Sequence, residues 1–230
     1  MSVTVVGMQG GGGGGVTHFS DTLISPDQPF GIGNDWAACL NLVNPPVGNA
    51  YAGVDFAAAW NRGATGISYT NPGGGGFTPV GFAFPIPVNW PKCRNRNQFS
   101  ELQMVTNPAG INRPAMCCFF QPNGANVYLL QFNTEVSRFS VDRWNNTTQT
   151  NLVAPSVTTA YVVNDVLRLE VDTTTTPGTT ILRAKKNGTL ISTFNDNSGS
   201  RLTSGLFGFG GGGSNPAVVS VVKNFNGGIL

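Results

Sequence analysis

The feature that most constrains the fold is a strand–turn–strand pattern in the second half of the chain. Residues Val166–Asp172 alternate apolar and polar side chains, which is typical of a strand with one face on a core. Two further β-rich segments, Thr180–Lys186 and Thr189–Phe194, flank Asn187 and Gly188. A tight type I′ hairpin needs positive φ at both central residues, and Asn-Gly meets that need. The segment therefore predicts antiparallel sheet.

Similar short segments continue on both sides, separated by turn residues. Val218–Val222 is apolar on both faces, so that strand is expected to be central or covered by another chain. Regular spacing of short strands predicts an all-β fold, a two-sheet antiparallel β-sandwich. The other predicted strands are Phe99–Val105, Met116–Gln121, Val127–Phe132, Val136–Val141, Asn151–Val153, Leu206–Phe209 and Val218–Phe225.

The first half of the chain is less regular. Residues 1–18 are predicted to be a separate N-terminal arm, because the glycine run Gly10–Gly15 costs much entropy to order. The sandwich is predicted over 19–230, with 61–98 as a long loop or extended insertion within it.

Two segments of this half have specific predictions. Val54–Trp60 is the only segment that resembles a helix. Phe82–Val88 contains Pro85 and Pro87, which cannot donate ladder hydrogen bonds, so the segment is predicted to be an edge strand or an extended arm.

The surface is expected to be solvated by neutral groups. Charged residues are 10% of the chain, against about 25% in ordinary domains, and the net charge is +2. Weak like-charge repulsion suits packing against neighbouring subunits and argues against a nucleic-acid partner. No apolar run reaches the ~20 residues of a membrane helix. The four cysteines are predicted to be buried free thiols, suited to a reducing cytoplasm: Cys39, Cys93, Cys117 and Cys118.

The order of landmarks resembles a known fold family. Val166–Asp172, the Asn187-Gly188 turn, Gly205–Phe209 and Val218–Asn226 together resemble the C-terminal half of concanavalin A-like lectin/glucanase jelly rolls, particularly laminin-G-like domains. The opening Phe30–Trp36 is similar to the start of such domains. The resemblance implies a jelly-roll sandwich, and the fold is shared by lectins and glucanases.

No catalytic residue is predicted. The glucanases of this fold carry alternating acids on one strand, whereas the corresponding segment here has only Glu101. Glu170 and Asp172 share a face, but that face is expected to be solvent-exposed. His18 is the only histidine, which removes most general-base schemes. No metal or cofactor site is predicted, although the sequence leaves open a calcium ion held by backbone carbonyls.

Aromatic rings that could stack on a sugar are the predicted carbohydrate-binding residues: Trp144, Tyr128, Trp60 and Trp90. Trp144 is expected at a turn, which makes it the best of them. The alternative for each ring is a place in the core or in an interface.

Three functions remain open at this stage. The first is a structural subunit of a virion, that is, a bacteriophage capsid decoration, fibre or tail component assembled in the host cytoplasm. Its partners would be other virion subunits, as a homo-oligomer, with Val3, Val5, Phe82 and Phe84 as assembly contacts through strand or arm exchange. The second is a stand-alone lectin-like module that binds a glycan, and the remote third is a glycoside hydrolase.

Overall fold

The computed structural model describes the chain in segments that together contain sixteen β-strands and no helix. None of these segments therefore contains a helix able to span a membrane. The strands pair into two antiparallel sheets, which form a sandwich. The described segments are residues 18–21, 28–29, 36–41, 60–69, 78–85, 97–106, 112–121, 126–133, 138–145, 148–153, 162–213 and 220–230.

The larger sheet has the strand order β14-β13-β12-β7-β16-β5-β4-β2, and β1 also pairs with β16. Its long central strand β16 lies beside β7 on one side and beside β5 and β1 on the other. Its members are β1 (His18–Asp21), β2 (Gln28–Pro29), β4 (Trp60–Gly63), β5 (Gly66–Tyr69), β7 (Gln98–Met104), β12 (Val166–Asp172), β13 (Thr180–Lys186), β14 (Thr189–Asp196) and β16 (Ser220–Ile229).

The smaller sheet has the order β11-β10-β9-β8-β15-β6-β3. It is a run of hairpins from β8 to β11, extended on the other side by β15, which comes much later in the chain. Its members are β3 (Trp36–Asn41), β6 (Thr78–Pro85), β8 (Asn112–Gln121), β9 (Asn126–Asn133), β10 (Arg138–Asn145), β11 (Thr148–Val153) and β15 (Leu206–Gly213).

The main core lies between the sheets. Alternation along each strand sends apolar side chains inward, including Leu167 and Leu169 of β12 and Leu130 of β9. The opposite face of the smaller sheet is buried as well, since Leu129 and Gln131 of β9 are also inaccessible. Two further fully buried residues, the adjacent thiols of β8, confirm the prediction of buried free cysteines at Cys117 and Cys118.

The strand predictions of the second half are confirmed. β12 and β13 have the predicted bounds, and the turn between β13 and β14 has φ of 50° at Asn187 and 81° at Gly188. The prediction that Val218–Val222 belongs to a central or covered strand is confirmed for its described part, which begins at Ser220, because β16 has a paired strand on each side.

Within the interval 61–98, predicted as a long loop or extended insertion, the expectation of a loop over the first part, 61–81, was wrong. β4, β5 and the start of β6 occupy much of this interval. The prediction that Phe82–Val88 is an edge strand was also wrong for its described part, because β6 pairs with β15 on one side and β3 on the other. Pro85 is tolerated there because it is the last residue of β6, paired with the first residue of β3, so its missing N–H can remove only a bond at the end of the ladder.

Several predictions fall on residues outside the described segments. Val3, Val5 and Trp90 lie there, as does the predicted helix apart from Trp60, which begins β4. Phe82 and Phe84 lie in β6, paired with Cys39 and Ala37. The division into an arm at 1–18 and a sandwich at 19–230 stays a prediction, although His18 itself is the first residue of β1.

Candidate functional site

An open polar groove of about 390 Å³ lies at one end of the sandwich. The smaller sheet contributes residues from strand ends: the last of β8, the first of β9 and the last of β10. The rest of the lining comes from residues 197–205, which connect β14 to β15 and are called the groove loop below. The lining side chains are Gln121, Asn126, Asn145, Ser200, Arg201, Leu202 and Thr203.

The groove loop is fastened to both sheets through its backbone carbonyls. From the smaller sheet, the Gln121 amide donates to the Ser204 carbonyl at 2.9 Å and the Asn145 amide donates to the Ser200 carbonyl at 3.1 Å. From the larger sheet, the Thr180 hydroxyl donates to the Leu202 carbonyl at 2.8 Å. The bond from Thr180 is buried, and the three bonds together fix the path of a loop that has no strand pairing of its own.

A buried network lies directly beneath the groove loop. The hydroxyl of Tyr128 donates to Asp196 Oδ2 at 2.6 Å and accepts from the backbone N–H of Leu202 at 2.9 Å. Arg143 Nη1 lies 2.5 Å from the same carboxylate oxygen, and the Ser198 hydroxyl donates to Asp196 Oδ1 at 2.7 Å. Charge-assisted hydrogen bonds of this kind are the strong ones, so the base of the groove is built in advance of any ligand.

The ionisation of this network follows from its contacts. Burial alone would raise the pKa of Asp196, but hydrogen bonds from Tyr128, Ser198 and Arg143 outweigh it and hold that pKa below its usual range. Burial, with the hydrogen bond to Asp196, raises the pKa of the Tyr128 hydroxyl. At neutral pH the network is therefore a carboxylate and a guanidinium whose charges cancel beneath the groove.

Gly205 ends the groove loop at a point where no larger residue fits. Its φ is +153°, and a Cβ atom there would lie 2.2 Å from the backbone carbon of Phe119. Phe119 itself has φ of 53° and sits where β8 shifts register against β9. Gln98 ties the two together, donating to the Gly205 carbonyl at 2.6 Å and accepting from the Phe119 N–H at 3.3 Å.

The chemistry available in the groove is hydrogen bonding rather than proton transfer. Its lining holds amides, hydroxyls and one guanidinium, with no carboxylate, thiol or imidazole among the described residues. Because the Asn145 amide nitrogen is used by Ser200, its oxygen Oδ1 is oriented as an acceptor. The groove therefore offers both hydrogen-bond donors and acceptors on a loop that is bonded to both sheets.

Two aromatic residues predicted to stack on a sugar are in the core instead. Tyr128 is fully buried and Trp144 is 5% exposed, so neither presents a ring face to a ligand. Trp144 was predicted at a turn, but β10 continues through Asn145. The core alternative holds for both, since alternation places Tyr128 in the inter-sheet core and Trp144 on the opposite, also buried, face. The prediction for Trp60 and Trp90 stays a prediction.

The acids considered as a catalytic pair lie on the larger sheet. Its outward side at β12 and β13 is called the charged face, and it consists of Arg168, Glu170, Asp172, Arg183 and Lys185. The expectation that Glu170 and Asp172 are solvent-exposed was wrong: they are 5% and 6% exposed. Basic side chains cover them, because neighbouring strands place opposite charges side by side.

Contacts on the charged face are direct ion pairs. Glu170 Oε1 lies 2.8 Å from Arg168 Nε and 2.7 Å from Lys185 Nζ, and Asp172 lies 3.3 Å from Arg183. The Arg168 guanidinium also covers the Phe99 ring at 3.7 Å.

Glu101, on the neighbouring strand β7, accepts a hydrogen bond from the Asn226 amide at 3.0 Å. Asp142, on β10, is fully buried and accepts from Gln131, Ser140 and Asn151. In the described part of the chain, no group of three or more His, Cys, Asp or Glu side chains is placed to hold a metal ion.

Sequence reasoning missed the groove. Asn145 and the residues at 197–200 lie in turn-like Asn- and Ser-rich stretches between predicted strands, and nothing in their spacing shows that they converge. The only available signal was the concentration of amide and hydroxyl residues in these turns, which is common in a chain so rich in Asn and Thr.

Similar sandwiches are known among solved structures. The carbohydrate-binding module CBM66 from Bacillus subtilis has a TM-score of 0.51 at 13% identity, over 84% of this chain and 95% of that chain. The endo-1,3-β-glucanase from Streptomyces sioyaensis has a TM-score of 0.50 at 12% identity, over 97% and 100% of the two chains. A β-1,3-1,4-glucanase (lichenase) derived from a mouse hindgut metagenome has 0.52 at 8% identity, over 93% and 99%.

The chain therefore has the concanavalin A-like lectin/glucanase jelly-roll fold that its landmarks resemble. At these identities the likeness is one of fold, and fold does not fix function. No family model matches the sequence, and no curated protein matches it significantly.

Proposed function

We propose that this chain is a carbohydrate-binding protein that holds a glycan in the groove at the end of the sandwich. The observation that carries the proposal is the groove's construction: an amide-lined surface on a loop fixed by buried hydrogen bonds to Thr180 and Tyr128. A site that is ordered before binding loses little entropy when a ligand arrives. The shared fold with a carbohydrate-binding module supports the same proposal.

The proposal includes that the protein is not an enzyme. A retaining glycosidase needs a carboxylate nucleophile about 5 Å from a carboxylic acid of raised pKa. In the described segments, each carboxyl whose side chain is placed has an internal hydrogen-bond or ion-pair partner, and the pKa values of Asp165, Asp172 and Asp196 are lowered. Lowered values favour structural anions over proton donors.

Glycan binding is tested with the full chain on a broad glycan array, followed by calorimetry on any hit. Asn145→Ala removes a groove acceptor and the tie to Ser200, so we expect affinity to fall about tenfold or more. Asn195→Ala, an exposed amide on β14 outside the groove, is the matched control and should bind normally. Absence of binding to every glycan, or equal affinity in both variants, would count against the proposal.

We further propose that the protein acts as a structural subunit of a virion, where the sandwich packs against other copies. Support comes from the edge strand β14, which pairs only with β13 among the described strands. Its residues before Asp196 carry no charge and no proline, and Leu190 is 52% exposed. Free edges usually carry Lys, Pro or bulges that block pairing. β14 has a register shift opposite Ala184 and Lys185 but no Lys or Pro, so its neutral residues on either side of the shift can still pair with a second strand.

Assembly is tested by native mass measurement over a range of concentrations. Thr193→Lys places a charge on the exposed middle of β14 and is expected to dissociate the oligomer. Thr176→Lys adds the same charge to an exposed turn and serves as the control. A wild-type chain that stays monomeric at all concentrations, and is absent from purified particles imaged by electron microscopy, would contradict the virion role.

A further inference from the structure

We infer that the groove selects acidic glycans, with Arg201 as the residue that binds the sugar's carboxylate or sulfate. The inference rests on the proposed glycan binding at the groove and adds the chemical class of the ligand. It begins from the contrast between Arg201 and the other placed basic side chains of the described segments.

Nearly every placed basic side chain has a carboxylate partner. Arg143 pairs with Asp196. Four basic residues of β12 and β13 pair with Glu170, Asp172 or Asp165: Arg168, Arg183, Lys185 and Lys186. Among the basic residues whose side chains the structure describes, only Arg201 and Lys223 make no such pair, and Lys223 lies in β16 and is not part of the groove lining. Arg201 is thus a half-buried guanidinium that lines a groove with its charge unmatched.

The surroundings of Arg201 leave the groove positive. The other lining residues are neutral, and the Asp196 carboxylate in the buried network beneath the groove loop has its charge cancelled by Arg143. The backbone of Arg201 is fixed by its N–H bond to the Ser198 carbonyl at 3.2 Å. Because the backbone of Arg201 is fixed, its guanidinium presents a planar fork of N–H donors to the groove. That fork can bind a carboxylate or a sulfate through two parallel hydrogen bonds.

The neighbouring groups suit the rest of a sugar ring. The Asn145 acceptor and the hydroxyls of Ser200 and Thr203 line the same groove. Ring hydroxyls can donate to the first and exchange hydrogen bonds with the others. A ligand that fits this groove carries one anionic group, bound by Arg201, and several hydroxyls, bound by the neutral residues. That combination describes an acidic sugar unit rather than a simple inorganic anion.

The test uses the full chain and three oligosaccharide probes of equal length: oligogalacturonate, its methyl ester, and a sulfated galactan oligomer. We expect oligogalacturonate or the sulfated oligomer to bind about tenfold or more tightly than the neutral ester, and which of the two binds identifies the anionic group. Affinity for the acidic probe should fall as salt rises.

Variants then assign the effect to the residue. Arg201→Gln should abolish the preference for the acidic probe, whereas Arg201→Lys should retain part of it, since the charge remains but the fork is lost. Lys223→Gln removes one charge elsewhere and should leave the preference intact. Thermal unfolding of each variant confirms that it is folded.

The outcomes separate this inference from the function on which it depends. If neutral glycans bind in the groove, sensitively to Asn145→Ala, but Arg201→Gln changes nothing, selection of acidic sugars is overturned and glycan binding stands. If acidic probes bind equally to Arg201→Gln and wild type, the assignment to Arg201 is wrong. If no glycan of either class binds, both proposals fail.

Discussion

The groove loop and the charged face are both built from polar and ionised residues, but they are organised in opposite ways. Beneath the groove loop, one buried ion pair, Arg143–Asp196, joins a tyrosine, a serine and a backbone amide into a single network. On the charged face, half-exposed basic side chains lie along two strands that are already fixed by their ladder. The network beneath the groove loop determines the backbone path of that loop. The ion pairs of the charged face lie on strands whose backbone is already fixed by strand pairing.

The comparison teaches where polar contacts matter for function. A buried charge that loses its partner pays the full desolvation cost, while an exposed pair gains little over solvation by water. We therefore expect the groove, and with it ligand binding, to be sensitive to single changes in residues that never touch the ligand. The basic side chains of the charged face, which are 27–28% exposed, should tolerate similar changes, because each buried carboxylate there keeps another partner.

Acidification should have the largest effect on the free energy of unfolding, because it protonates carboxylates in both regions together. Burial opposes ionisation of Asp172 and Asp196, yet hydrogen bonds from Thr175 and Thr174 in one case and from Tyr128 in the other lower both pKa values. A lowered pKa gives stability that is present above the normal carboxyl pKa and lost as pH falls below it. Urea unfolding should therefore give a constant free energy from pH 7 to about 5 and a decline below about 4. A value unchanged at pH 3 would contradict this, and Asp172→Asn should flatten the decline.

Arg143→Met should be the most damaging single change at neutral pH. It leaves the Asp196 carboxylate buried without its cation, for an expected loss of about 3–5 kcal/mol in the free energy of unfolding. The double variant Arg143→Met with Asp196→Asn removes both charges and should recover part of that loss. If the single and double variants are equally stable, the buried charge is not what couples the network.

Gly205→Ala should destabilise the groove loop through its contact with Phe119. The added Cβ meets backbone, which cannot rotate away, so we expect a loss of about 3 kcal/mol. Gly178→Ala is the control, because Gly178 also has positive φ, +77°, but no atom lies within 4 Å of the position that a Cβ would take there. That variant should lose only about 1 kcal/mol, measured by chemical denaturation. Equal losses would show that conformation, and not close packing, decides the effect.

Tyr128→Phe separates support of the groove from contact with the ligand. It removes the hydroxyl that joins Asp196 to the Leu202 N–H, leaving the latter without its partner, for an expected loss of about 1–3 kcal/mol. Glycan affinity should fall as well, although the ring is fully buried. Slower hydrogen exchange at Leu202 in the wild type than in the variant would support this account, and unchanged exchange and affinity would contradict it.

Lys185→Met should have the smallest effect. Lys185 is 28% exposed, and Glu170 keeps Arg168 as a partner after the change, so the expected loss is under about 1 kcal/mol. Glycan binding should not change. A loss as large as that of Arg143→Met would remove the distinction between the two regions.

Much of the larger architecture could be predicted from residue pattern. Alternation in β12 and the Asn187-Gly188 turn predicted the strand bounds and the hairpin, because both depend on residues close in sequence. The register shift between Ala184 and Lys185 was not predictable from that pattern. The first half was harder: the glycines and prolines around β4, β5 and β6 favour loops by local propensity, but pairing with β15 and β16 overrides it. Trp144 shows the same limit, since an aromatic beside an Asn-rich turn can face solvent or the interior.

By itself the sequence determined the fold class, the main hairpin of the larger sheet and a surface with few charges, since these follow from period-two alternation, turn chemistry and composition. Only the tertiary structure decided that Asn145 and Arg201 line one groove, and that Tyr128 lies beneath it. The physical reason is that the groove joins strand ends and a loop more than fifty residues apart in sequence, brought together by pairing across two sheets, and no local pattern encodes that meeting.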